Sequence, residues 1–218
     1  MDAPALPPAD LYINRELSQF EFNKRVLAQA QDPDVPLLER LRFLCITCTN
    51  LDEFFEIRVA ALKQRIEIGA PAQGPEKLSA QQIFDAIRHG MLGVVQQQYE
   101  LLNEVLFPEL TKAGVVFMQS EEWNEDQREW LREYFLEQVV PVLTPLTFDP
   151  SRPFPRVMNK SLNIIVRLRA KDAFGRKRHR VMVQAPRSLP RNIRQPEHLS
   201  SPDQHHYVFL SSIIRVQL

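Results

Sequence analysis

Hydrophobic residues in the first half of the chain recur every three or four positions, which places them on one face of an α-helix. The pattern predicts four helices, at about residues 18–31, 36–47, 51–68 and 79–106. Capping boxes mark two of the helix starts, Ser18 with Glu21 and Ser79 with Gln82. Because the connections between these helices are short, we expect an antiparallel bundle.

The periodicity changes after Gly114, where short apolar runs alternate with polar and Pro-rich segments. The remaining pattern predicts strands at 115–118, 161–170, 179–185 and 207–210, a helix at 124–138 and an extended segment at 139–146. Turn residues at 172–175 lie between two of the strands, so 161–185 is predicted to form a β-hairpin. The chain ends in an apolar segment at 213–218, as if the second domain were incomplete.

The predicted fold class is therefore a mostly α N-terminal antiparallel helical bundle followed by an incomplete α+β domain. We expect a disordered leader at 1–10, a helical domain at 11–107 and a partial α+β domain at 108–218. A hydrophobic content of 44% agrees with globular domains that have real cores.

Membrane and metal functions receive little support from the sequence. No segment is apolar for the roughly 18 residues that a membrane span needs, and 1–10 lacks the apolar core of a signal peptide. This predicts a cytoplasmic protein without a transmembrane segment. The only cysteines, Cys45 and Cys48, have C-x-x-C spacing within a helical pattern, without a second pair of zinc ligands nearby. We expect them to be small buried residues, with zinc binding as the alternative.

The formal net charge of zero conceals a strong separation of charge. Residues 1–150 contain 13 Lys and Arg against 24 Asp and Glu, a balance of −11. Residues 151–198 contain 13 Lys and Arg against Asp172 and Glu197, a balance of +11. The predicted hairpin tip contributes Lys171, Arg176, Lys177 and Arg178 to this excess. The basic stretch at 152–194 indicates either a surface for a polyanion or a solvated basic face.

The stretch at 47–58 carries the most information, because two predicted helices meet there at a polar corner. Asn50 is placed to cap the second of these helices, and Asn is among the preferred N-cap residues. A carboxamide also presents a donor beside an acceptor, the pattern that pairs with N6 and N7 of adenine. Both interpretations of Asn50 remain open on the local pattern.

Arg58 falls on the apolar stripe of the predicted third helix, where a cation needs an anionic partner. We expect a structural ion pair with an acidic residue of a neighbouring helix, with a bound phosphate as the alternative.

Several long motifs occur in the first half of the chain, namely YINRELS at 12–18, VPLLERLRFL at 35–44, NLDEFF at 50–55 and RVA at 58–60. Together they resemble the N-terminal domain of type 1 bacterial polyphosphate kinases. Further motifs resemble the head domain of that family, namely PVLTPL at 141–146, NKSLN at 159–163 and LPR at 189–191. The resemblance extends over nearly the whole chain from residue 12, with the motifs in the same order.

The resemblance implies a reversible transfer of the γ-phosphate of ATP to inorganic polyphosphate, through a phosphohistidine and with Mg²⁺. It also implies that the helical domain forms one face of the ATP site, with Asn50 as the residue that contacts the nucleotide. Nucleotide contact then becomes the preferred role of this amide. The head domain is associated with formation of a homo-oligomer, and the implied location is cytoplasmic, free or peripheral to the inner membrane face.

The catalytic machinery of the family lies in C-terminal domains that this chain does not contain. None of the five histidines lies in a context that resembles the nucleophile, and we expect His205 and His206 to belong to a loop. The resemblance therefore places no catalytic residue and no metal ligand in the chain, and we expect residues 1–218 to be inactive alone. ATP and polyphosphate are the expected partners; nucleic acid is not. The alternative function is a non-catalytic module for polyanion binding or dimerisation.

Overall fold

The computed structural model describes residues 8–148, 153–171 and 177–218. The chain divides into two compact units, unit 1 at Met1–Leu110 and unit 2 at Thr111–Leu218. Unit 1 is helical and unit 2 is α+β, so the predicted fold class is confirmed. No helix within the described residues has the length and apolar character needed to cross a membrane.

Unit 1 is built from three long continuous helices, called rods below, at residues 15–31, 37–67 and 80–112. Its α-helices are α1 (Arg15–Gln31), α2 (Leu37–Glu53), α3 (Ala60–Glu67), α4 (Ala80–Glu100) and α5 (Phe107–Lys112). A π-helical segment at Phe54–Val59 joins α2 to α3, and another at Leu101–Leu106 joins α4 to α5. A buried apolar cluster that includes Leu27, Leu44 and Ile87 holds the rods together.

The polar corner predicted at Asn50 does not exist, because the helix continues from Leu37 through Glu67. The hydroxyl of Thr47 donates to the carbonyl of Phe43, and that of Thr49 to Cys45, so both polar side chains are satisfied within the helix. The apolar face also passes without interruption from Leu44 to Leu51 and Phe54. The N-cap role predicted for Asn50 is therefore wrong.

The predicted helix starts are right in one case and displaced in another. The capping box of Ser79 and Gln82 is present at the start of α4. The start of α1 is one turn earlier than expected, because Asn14 and not Ser18 is its N-cap. The side-chain oxygen of Asn14 accepts from the backbone N–H groups of Glu16 and Leu17.

The last rod of unit 1 is longer than predicted. It continues past Pro108 to Lys112, whereas the sequence predicted an end near residue 106. Proline has no N–H and crowds the preceding turn, so it usually ends an α-helix. The wider π segment directly before Pro108 relieves this conflict locally, which lets the rod continue.

Unit 2 contains two helices and six short strands within the described residues. They are β1 (Val115–Phe117), α6 (Glu125–Tyr134), β2 (Pro145–Thr147), β3 (Asn163–Lys171), β4 (Lys177–Gln184), β5 (Asn192–Arg194), β6 (His205–Phe209) and α7 (Leu210–Gln217). A π segment at Phe135–Val139 and a 3₁₀ turn at Val140–Val142 follow α6. The extended segment predicted at 139–146 is therefore wrong over its first half, since Pro141 is accommodated in a 3₁₀ turn.

The strands form two three-stranded sheets. One has the order β1-β6-β5, with β1 parallel and β5 antiparallel to β6. The other has the order β2-β4-β3 and is antiparallel throughout. The predicted hairpin is present as β3 and β4, while its turn at 172–175 and Arg176 lie outside the described residues. His205 and His206 belong to β6 and not to a loop as predicted.

Candidate functional site

Asn50 lies on the outer side of the long second rod, four residues before the π segment begins. Its backbone carbonyl accepts a hydrogen bond from the N–H of Phe54, as in an ordinary helical turn. The backbone of Asn50 is therefore fully used by the helix, and only its side chain is available to a ligand.

The carboxamide of Asn50 is half-buried and open to solvent. It forms no hydrogen bond with any residue that the structure describes, and neither of its polar atoms is among the buried atoms that lack a partner. An amide in such a position keeps both its donors and its acceptor for a ligand. An amide sealed inside the bundle could not contact a nucleotide, and the Asn50 amide is not sealed in this way.

The π turn beside Asn50 was not predicted. Buried positions on an α-helix normally recur every three or four residues, but the step from buried Phe54 to buried Val59 is five. The same step separates buried Leu101 and Leu106 in the second π segment. The five-residue step appears only in the burial pattern, because apolar Phe55 and Leu102 keep four-residue spacing to Val59 and Leu106 in the sequence. Residue types alone therefore do not reveal these segments, and single π turns are frequent at functional sites.

The surface around Asn50 combines acidic and apolar side chains. Asp52, Glu53 and Glu56 are exposed, which leaves the segment with a net negative charge. Ile57 is 55% exposed, and its neighbours on the same rod provide further apolar area. A surface of this kind suits an uncharged planar ring better than a phosphate group, which the carboxylates would repel.

The structural ion pair predicted for Arg58 is not found among the described residues. Arg58 is half-buried on the π segment, but it forms no ion pair with any described residue. The π turn supplies the physical reason, because the extra residue in the turn rotates Arg58 away from the position that an α-helical stripe would give it. A buried arginine of unit 1 that does form an ion pair is Arg40, whose guanidinium donates to Glu109 at 2.7 Å.

Cys45 and Cys48 are exposed free thiols, so the prediction that both are buried is wrong. They lie one turn apart on α2, and the sulfur of Cys48 accepts from Nε2 of Gln98 at 3.5 Å. Partial burial raises the pKa of the Cys48 thiol, and the nearby Cys45 and Asp52 act in the same direction. No group of three or more His, Cys, Asp or Glu side chains in the described ranges could hold a metal ion.

The described histidine side chains form no arrangement for nucleophilic catalysis. His205 Nδ1 lies 3.0 Å from a guanidinium nitrogen of Arg194, and His206 Nε2 lies 3.0 Å from the side-chain oxygen of Gln204. His206 is also buried, which lowers its pKa. Neither ring is both exposed and oriented by a carboxylate, as a phosphate-accepting histidine requires.

Two family models match the chain along almost its whole length. The polyphosphate kinase N-terminal domain matches residues 12–118, and the polyphosphate kinase middle domain matches residues 126–218. The chain belongs to the polyphosphate kinase family. Asn50 lies within the part of the chain that matches the N-terminal domain of polyphosphate kinases.

Curated relatives agree with this assignment. A polyphosphate kinase of Xylella fastidiosa strain Temecula1 is 52% identical over 204 residues, which is 94% of this chain and 29% of the relative. One from Burkholderia cenocepacia strain HI2424 is 50% identical over 203 residues, or 93% of this chain and 29% of the relative. The chain thus spans less than a third of the length of these polyphosphate kinases.

A solved structure supports the fold. The crystal structure of polyphosphate kinase from Porphyromonas gingivalis matches with a TM-score of 0.72 and 26% sequence identity. The match covers 93% of this chain and 30% of that one. The helical unit followed by an α+β unit is therefore shared with a polyphosphate kinase of known structure.

Proposed function

We propose that this chain is the N-terminal portion of an enzyme that reversibly transfers the γ-phosphate of ATP to inorganic polyphosphate. Within that enzyme the helical unit contributes one face of the ATP site, and Asn50 contacts the adenine ring. The observation that carries this proposal is the state of the Asn50 side chain, which is half-buried and forms no hydrogen bond with described residues, beside exposed apolar area at Ile57.

The chemistry of the surface supports adenine in preference to phosphate. The amide oxygen of Asn50 can accept from N6 of adenine while its N–H donates to N7. The exposed side chain of Ile57 offers apolar area to the ring. The exposed carboxylate of Glu53, one turn from Asn50, disfavours a phosphate group at this position.

We assign the remaining chemical steps of the reaction to residues other than those that the structure describes. The family's Mg²⁺ does not fit any side-chain cluster in the described ranges, so no metal step is derived from them. The phosphate-accepting histidine is likewise assigned to the domains that follow in longer relatives. Because ATP is a cytoplasmic metabolite, the proposed reaction takes place in the cytoplasm.

We further propose that residues 108–218 contribute to a homo-oligomer. Leu136, Val140 and Val142 support this, since they are between 43% and 54% exposed over one short segment after α6. Clustered apolar side chains on a surface are typical of protein interfaces.

Replacing Asn50 by aspartate in the full-length enzyme is expected to raise KM for ATP about tenfold, since a bidentate amide–adenine pair contributes about 1–3 kcal/mol. The aspartate keeps an acceptor for N6 but loses the donor to N7 and places a carboxylate against that lone pair. Initial rates at saturating polyphosphate measure the effect, and kcat is expected to change little because Asn50 does not contact the transferred phosphate.

The control is Asn103→Asp, the same change at an exposed asparagine on the second π segment. This variant should keep the KM of the parent enzyme. If Asn50→Asp also leaves KM unchanged while circular dichroism shows an intact fold, Asn50 has no role in nucleotide binding.

A further inference from the structure

Two arginines face each other across the β-hairpin of unit 2. Arg167 of β3 is the direct partner of Arg180 of β4 in the antiparallel register. Both side chains are exposed. Direct partners in neighbouring strands have their Cβ atoms about 5 Å apart on the same face, so the two arginine side chains leave the sheet side by side.

Like charges directly opposite each other destabilise a sheet, unless an anion lies between them. Neither Arg167 nor Arg180 forms an ion pair with any residue that the structure describes. A bound anion between Arg167 and Arg180 would relieve the repulsion within this pair.

The same face of the sheet is apolar next to the arginines. Ile165, Met182 and Leu146 lie side by side across β3, β4 and β2, one pair of residues from Arg167 and Arg180. Ile165 is 59% exposed and Leu146 is 42% exposed, whereas Met182 between them is only 3% exposed. The opposite face carries Ile164, which packs against the core of unit 2, so the arginine face is the outer one.

Acidic residues that could neutralise this face are almost absent from the hairpin sequence. Residues 163–184 contain seven Lys and Arg and only Asp172 as an acid. A scattered solvated surface usually mixes both signs of charge, as the long helices of unit 1 do with the pairs of Lys24 and Glu21 and of Arg42 and Glu39. The hairpin has the charge of a surface that binds a polyanion.

We propose that the outer face of the β3–β4 hairpin is a binding site for linear inorganic polyphosphate, with Arg167 and Arg180 holding one segment of the anion between them. Paired guanidinium groups suit this ligand because each can donate two hydrogen bonds to phosphate oxygens. The hairpin sequence contains further Lys and Arg residues for a chain of repeating phosphates. This site belongs to unit 2, whereas the proposed nucleotide face at Asn50 belongs to unit 1.

The choice of ligand rests on the proposed function, because polyphosphate is the polyanion that the family's reaction uses. The charge pattern itself does not depend on Asn50 or on ATP. A test without nucleotide therefore separates the two proposals. Failure of the Asn50 experiment would leave the hairpin result standing, and the reverse also holds.

The experiment measures binding of fluorescently labelled polyphosphate to the 218-residue chain by anisotropy, at low and at high salt. We expect binding at low salt that weakens steeply as salt rises, since released counterions drive the association. The double variant Arg167→Gln with Arg180→Gln is expected to bind at least about tenfold more weakly. Replacing both arginines by lysine should restore most of the affinity, because the charges are kept.

A matched control removes the same number of charges elsewhere. Arg88 and Arg132 are exposed and form no ion pair with described residues, so Arg88→Gln with Arg132→Gln gives the same net charge. It should bind polyphosphate within about twofold of the parent chain. An equal loss in both double variants means nonspecific attraction and overturns the proposal, as does the absence of binding at low salt.

Two further measurements complete the test. Thermal unfolding of the hairpin variant should occur at the same temperature as in the parent or higher, because a repulsive pair has been removed. A lower unfolding temperature would mean that the arginines serve the fold and would overturn their assignment as a binding pair. Duplex DNA that binds as tightly as polyphosphate, with the same sensitivity to Arg167 and Arg180, would overturn polyphosphate as the specific ligand.

Discussion

Replacing Phe54 by alanine is expected to lower the free energy of unfolding of unit 1 by about 3–5 kcal/mol. Phe54 is 1% exposed, and its ring stacks with that of Phe20 on α1 at a centroid distance of 6.4 Å. The gap left by the ring cannot close easily, because the π turn fixes the backbone on one side and α1 lies on the other. Such a loss is a large share of the stability of a typical domain, about 5–15 kcal/mol.

Urea denaturation followed by far-UV circular dichroism measures this loss, since the long helices of unit 1 contribute strongly to the signal. Phe22→Ala is the matched control, because Phe22 is a phenylalanine of α1 with 49% of its surface exposed. It should lose no more than about 1 kcal/mol. Equal losses in the two variants would contradict the burial of Phe54 and the placement of the π turn beside Asn50.

The second large effect is expected from Glu109→Ala, which should destabilise unit 1 by about 2–3 kcal/mol. Its partner Arg40 is 5% exposed, and that guanidinium also donates to the carbonyl of Ala30 at 3.0 Å. Removing Glu109 leaves a buried cation without its counter-charge. The expected value is toward the lower end for a buried pair, because the Glu109 side chain is 39% exposed and water already screens it.

The opposite member of the pair provides the comparison. Arg40→Met leaves a carboxylate that water can solvate, and it places an apolar side chain in an apolar site. This variant should lose less than Glu109→Ala, by at least about 1 kcal/mol in the same urea measurement. If Arg40→Met proves the more damaging change, the cation is less buried than the structure places it.

The sequence was sufficient for much of the helical unit, because local signals and the core agree there. Ser79 and Gln82 form their capping box, and the apolar stripes become the buried core. The break at Asn50 was predicted from a run of polar residues. In the structure this run is helical, and its threonine hydroxyls donate to backbone carbonyls one turn back. The π turn could not be predicted from residue types, since apolar Phe55 keeps a four-residue step to Val59.

Unit 2 was harder to predict because its strands are short and their partners distant in sequence. The hairpin of β3 and β4 followed from local turn signals, but the pairing of β1 with β6 joins residues far apart along the chain. Pro141 also suggested an extended segment, although a proline fits equally well in the first turn of a 3₁₀ helix. Packing against distant parts of the chain decides which conformation such a segment adopts. A short stretch of sequence contains no information about that packing.

The properties of the candidate site could also be predicted only in part from the sequence. Resemblance to the family motif identified Asn50, whereas the local pattern alone left capping and adenine contact open. Solvent access to the amide depends on how the bundle packs, so it could not be derived from residue types. The unpaired state of Arg58 and the exposure of Cys45 and Cys48 depend on packing in the same way.

The most direct test of the account is a nuclear magnetic resonance titration of the isotope-labelled chain with ATP. The side-chain amide signal of Asn50, assigned by its loss in Asn50→Asp, should shift with ATP and with adenosine, even if one face of the site binds only at millimolar concentration. It should not shift with inorganic tripolyphosphate, and the amide signal of Asn103 should stay in place throughout. A signal from Asn50 that ignores ATP, or that responds equally to tripolyphosphate, would contradict an adenine contact at this residue.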